Sequence, residues 1–91
     1  MSSNTIEGKL IAKLDIENGV SGNGNLWQKQ SFILQTLDAK YPKKLCFEVW
    51  GEFVVTLEKF MLNTNVSVTF DCESREHNGK WYTTLKAFKI V

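Results

Sequence analysis

The 91-residue sequence predicts an all-β domain in which five short strands close into a small barrel, with one short helix between the third and fourth strands. Three observations carry that expectation. Apolar and polar residues alternate over several separate stretches, the period of half-buried strands. Only one stretch switches to helical spacing, and clusters of glycine and asparagine fall between the stretches where turns belong. Closure has a physical motive as well, because a flat sheet of this size would leave one apolar face wet and both edges unpaired.

The first strand is read over residues 6–16, where Ile6, Gly8, Leu10, Ala12, Leu14 and Ile16 share one face. Gly8 marks the bend that a long first strand needs if it serves both sides of a barrel. Residues 17–25 hold three glycines and three asparagines and are expected to form a mobile loop. The second strand, 26–37, sets Phe32, Leu34 and Thr36 against Trp27, Lys29, Ser31, Ile33 and Gln35. After Tyr41-Pro42 a third strand, 43–50, turns Leu45, Phe47 and Val49 inward and Lys44, Cys46, Glu48 and Trp50 outward. Phe53, Val54, Leu57, Phe60 and Met61 then follow the spacing of a short amphipathic helix. Val66, Val68, Phe70 and Cys72 define a fourth strand. Asn78-Gly79 is a hairpin pair, and the fifth strand runs to Val91 with Tyr82, Phe88 and Ile90 on one side and Trp81, Leu85 and Ala87 on the other. Three strands, a helix and a hairpin make up the element order of the five-stranded OB-fold barrel, whose helix plugs one open end.

Composition sets the remaining bounds. With 43% hydrophobic and 23% charged residues the chain can build one core, and residues 1–91 form a single OB-fold domain with a flexible N-terminus over 1–4. Cys46 and Cys72 are expected reduced, in or near the core. No apolar run approaches the roughly 20 residues of a membrane span, and no basic segment leads into an apolar run at the start. A cytoplasmic location is expected, without a membrane partner or a small-molecule substrate. The net charge of +1 excludes a strongly basic binder, so any anion-binding face must be regional. From His77 onward the chain carries Lys80, Lys86 and Lys89 and no acid.

The run 41–51, from Tyr41-Pro42 to Trp50-Gly51, and the run 70–84, through Asn78-Gly79 to Tyr82-Thr83-Thr84, resemble a family of short bacterial proteins of unknown function, DUF3127-like, held to be OB-fold and related to single-stranded-DNA-binding proteins. With Trp27 to Thr36 included, the likeness covers most of the chain after the glycine-rich segment. It implies a barrel whose outer face and hairpin present aromatic and basic residues to a nucleic-acid strand, usually within a homo-oligomer. It also implies that Trp50 occupies a position that stacks on bases. The chain ends at Val91 within its last strand, so the acidic tail that recruits replication enzymes in such proteins is not expected.

A single strand is held by stacking of bases on aromatic rings and by cations along the phosphates. Trp27, Lys29, Lys44, Trp50, Arg75, Lys80, Trp81 and Lys86 are the candidates for those roles. The expected partner is single-stranded DNA, with RNA as the alternative, in replication, repair or recombination, and the expected assembly is a homodimer or homotetramer. Core packing competes for Trp50, and an oligomer interface competes for Trp27 and Trp81. Glu48, on the same face as Trp50, would repel phosphate. An OB barrel that only self-associates or docks on a protein is the rival function. Enzyme chemistry has little to stand on: His77 is a lone turn histidine, Cys46, Cys72 and His77 lack metal-ligand spacing, and the glycine-rich segment lacks the Gly-Lys-Ser/Thr ending of a phosphate loop. No cofactor or metal is expected.

Overall fold

The computed structural model describes residues 4–38 and 40–91. Strands β1 (Asn4–Lys13), β2 (Glu17–Val20), β3 (Leu26–Thr36) and β4 (Lys44–Trp50) precede helix α1 (Phe53–Glu58). Strands β5 (Asn65–His77) and β6 (Lys80–Ile90) follow it. The expected five strands with the helix between the third and fourth need correction: the described residues form six strands, and the helix follows β4. The difference arises in the glycine-rich segment, where Glu17–Val20 pairs antiparallel with Leu26–Lys29 at the start of β3. Asn and Gly have low strand propensity, and the ready-made edge of β3 overrides it. The turn between them closes through Ser21 N–H to Asn25 O and Gly24 N–H to Ser21 O.

The sheet order is β1-β5-β6-β4-β3-β2, and β1 also pairs with β3. Following those pairings from β1 through β5, β6, β4 and β3 leads back to β1, so five strands form a closed circuit. β1 achieves this by serving two partners. Asn4 to Lys9 pair with β5, and Gly8 to Lys13 pair with β3. Gly8 lies where the two pairings overlap, and a Cβ there would stand 2.6 Å from the Gln35 carbonyl oxygen and 2.8 Å from Leu34 Cγ. The close approach requires glycine. At the opposite seam β4 and β6 are parallel, with Glu48 and Lys86 as the one ladder pair among the described residues.

Register shifts alter two faces read from the sequence. A β-bulge between Leu10 and Ala12 ends the alternation assigned to the first strand, so that Leu14 and Ile16 are exposed and β1 stops at Lys13. A second irregularity, opposite Thr69 and Phe70, lets Ala87 and Ile90 both reach the interior while Phe88 is exposed. A bulge inserts one residue and thereby swaps the side on which later residues fall.

The core is formed by Leu10, Phe32, Leu34, Phe47, Val49, Val66, Val68, Ala87 and Ile90 from the strands, with Val54 and Leu57 from the helix. Phe32 and Phe47, directly opposite in β3 and β4, stack at 5.4 Å, and Phe70 meets Phe47 edge-on at 5.0 Å. Helix α1 buries only Val54 and Leu57 and packs on β3, β4 and β6. Phe60 packs against the core beyond the helix, whereas Phe53 and Met61 are exposed. Both cysteines are exposed and free, which corrects their expected core placement. Cys46 points away from the core with Ile33, its cross-strand partner, and Cys72 lies where the β5–β6 hairpin runs past the core. No helix among the described residues is long and apolar enough to cross a membrane.

Candidate nucleic-acid interface

Cross-strand register assembles the outer face. Residues opposite one another in antiparallel strands share a side. Lys29 lies opposite Trp50, and Ser31 lies opposite Glu48. Trp27, two residues before Lys29, shares their side and lies opposite Gly19 of β2. On the hairpin, Asp71 faces Lys86, Glu73 faces Thr84 and Arg75 faces Tyr82. The Glu48–Lys86 bridge brings the two halves of this surface together.

At their meeting point Lys29, Glu48, Trp50, Glu73, Arg75 and Lys86 line a groove of about 320 Å³. The Trp50 indole is half-buried, and its N–H donates to Glu48 Oε1 at 3.2 Å. The Trp27 ring lies 5.8 Å away, tilted by 45°. The ammonium groups of Lys29 and Lys86 sit 5.3 and 5.7 Å from the Trp50 ring centroid, within cation–π range. Arg75 donates to Glu73 at 3.2 Å, an exposed pair that contributes little to stability. Three cations and two carboxylates therefore share the groove, one of each already paired and the second carboxylate engaged by the indole.

The backbone around Trp27 is fixed from both sides. Gly51 N–H donates to Gln28 O at 2.9 Å, and Gln28 Nε2 donates to Gly51 O at 3.0 Å, clamping the end of β4 to the start of β3. On the other side β2 lies against the indole, and a Cβ on Gly19 would stand 2.7 Å from Trp27 Cζ2.

Of the eight residues expected from the sequence, the structure gathers Trp27, Lys29, Trp50, Arg75 and Lys86. Lys44 lies on the same side of β4 as Trp50 but opposite Gln35, six residues and about 20 Å along the strand. Lys80 shares the side of Lys86 near the tip of the hairpin, opposite His77. Trp81 is 68% exposed and projects from the other side of the hairpin, opposite Glu76. Thr84, Glu73 and Tyr82 belong to the groove side, and the sequence did not assign them to the interface. The two-residue spacing from Lys86 back to Thr84 and Tyr82 was the available signal. The role of Gly19 and the Gln28–Gly51 clamp had none.

The family described as Domain of unknown function (DUF3127) matches residues 5–91. No curated protein matches the sequence. Solved structures resemble the fold. The SSB domain of a Synechococcus sp. protein is 16% identical with a TM-score of 0.68, covering 99% of this chain and 93% of that one. The mitochondrial single-stranded DNA binding protein of S. cerevisiae is 16% identical with a TM-score of 0.69, covering 99% and 92%. The N-terminal domain of PriB from Thermoanaerobacter tencongensis, a dimeric structure, is 20% identical with a TM-score of 0.64, covering 98% and 92%.

Proposed function

The chain belongs to the DUF3127 family, and from its fold and the face built around Trp50 we propose that it is an OB-type barrel that binds single-stranded nucleic acid, DNA in the first place. The observation that carries the reading is the pairing of Trp27 and Trp50 at 5.8 Å within one field of Lys29, Lys86 and Arg75. Stacking surface and phosphate-neutralising charge lie together, as a sequence-tolerant single-strand binder requires. The likeness to single-stranded DNA binding proteins in fold supports the same ligand class.

Binding exchanges one set of contacts for another. The Lys29 and Lys86 ammoniums lie over the Trp50 ring that a base would cover. An exposed cation–π contact contributes about 0.5–1 kcal/mol, whereas stacking of a base contributes about 1–3 kcal/mol. The exchange favours the base, and the flexible lysine stems let the ammoniums move to the flanking phosphates. Glu48 orients the indole by accepting its N–H. We extend the proposal to a homodimer or homotetramer acting in replication, repair or recombination; the dimeric PriB domain supports self-association.

Comparing Trp50→Ala with Trp81→Ala tests the reading against that of a pure protein-interaction module. Trp50→Ala is expected to weaken binding of labelled oligo-dT with the assembly unchanged in sedimentation. If neither the protein nor either variant binds oligo-dT, and Trp50→Ala dissociates the assembly instead, the face serves protein contacts.

A further inference from the structure

Beside the groove lies a pocket of about 540 Å³ lined by the apolar residues Val20, Leu26 and Trp27 and the polar residues Asn18, Gln28 and Glu52. We propose that this pocket is a nucleobase subsite that takes a base adjacent to the one stacked on Trp50 and prefers bases bearing an exocyclic amino group, cytosine over uracil. The inference rests on the single-strand reading and adds a base preference to it.

Four observations place a base there rather than a phosphate. Trp27 is among the residues that line the pocket and its ring stands 5.8 Å from that of Trp50, so a strand stacked on Trp50 has its next base within reach. The volume falls in the range of about 300–1,000 Å³ typical of small-ligand sites, and the lining mixes apolar walls with few polar groups, as such sites do. No lysine or arginine lines the pocket, and it holds one carboxylate. A phosphate would therefore be repelled while a neutral ring enters. Finally, β2 runs so close to the Trp27 indole at Gly19 that a side chain there would meet the ring, so only glycine leaves that side of the ring in place.

The polar groups define which base. Glu52 precedes α1 without a side-chain hydrogen bond to the helix backbone, leaving its carboxylate available as an acceptor. Gln28 donates its Nε2 to Gly51 O, which leaves Gln28 Oε1 as an acceptor too. Two acceptors match a donor on the ligand. Cytosine presents an N4 amino group, a known partner of carboxylates. Uracil and thymine present a carbonyl at the same ring position, which would face the carboxylate acceptor to acceptor and leave only the neighbouring N3–H to donate.

Oligo-dC and oligo-dU of equal length, titrated into the full chain at mildly alkaline pH with tryptophan emission as readout, test the subsite. Oligo-dC is expected to bind about tenfold tighter, the scale of one charge-assisted hydrogen bond. Glu52→Gln is expected to reduce that ratio to about twofold, because the amide offers a donor to the uracil carbonyl, with the melting temperature unchanged. Equal affinities of the unsubstituted protein for the two oligonucleotides overturn the subsite and leave the single-strand reading standing. Failure of both to bind removes that reading and the subsite with it.

Discussion

At Trp50 the indole N–H is held by Glu48 while two ammonium groups lie over the ring, so the side chain is oriented without being sealed away. Trp50→Ala should lower oligo-dT affinity by about five- to a hundredfold, the range of one stacked base, measured by fluorescence anisotropy. Glu48→Gln keeps an acceptor for the indole and removes a negative charge from the groove in which phosphates are proposed to lie. It should raise affinity about two- to threefold at low salt; a loss of affinity would mean that the carboxylate acts on the ligand itself. Gly19→Ala should weaken binding because its methyl group must displace the Trp27 ring. The positions of Trp27, Lys29 and Trp50 were legible from strand parity alone. The service Glu48 performs was not, since a carboxylate two residues from a tryptophan reads as a repelling charge until the side-chain conformation joins the two.

Strands and turns fix where those residues stand. Asn78 and Gly79 both adopt positive φ, 54° and 81°, the backbone of the tight hairpin turn that the Asn-Gly pair signalled. Gly79→Ala should cost about 1 kcal/mol in chemical unfolding, as a side chain enters the left-handed region. Gly8→Ala should cost more, about 1–3 kcal/mol, because the added Cβ meets backbone as well as the Leu34 side chain. Alternation identified the inward sets of β3 and β4 and that of β5 as far as Phe70; Cys72, read as inward, is exposed where the hairpin runs past the core. It failed beyond the bulge in β1 and near the one in β6, where one extra residue reverses the sides. It also missed β2, whose sequence is poor in strand formers and which is held by its pairing with β3. That miss changed the strand count and with it the helix's place in the order.

In the whole molecule the proposed binding surface spans the circuit's narrowest seam. β4 and β6 share the single ladder pair Glu48–Lys86, and both residues line the groove. A ligand that bridges Lys29 and Lys86 links the two sides of that seam, so hydrogen exchange of amides in residues 46–50 and 84–88 should slow when oligonucleotide is bound. The near-neutral chain shows why composition alone underrates such a surface: three cations converge here although the total charge is only +1. Titration of labelled oligo-dT at two salt concentrations, with tryptophan emission followed in parallel, tests the account most directly. Three phosphate contacts predict a slope of about −2 in log affinity against log salt, so a fourfold rise in salt weakens binding by roughly fifteenfold, with indole emission quenched at both concentrations. Affinity indifferent to salt, or emission that oligo-dT leaves unchanged, would contradict it.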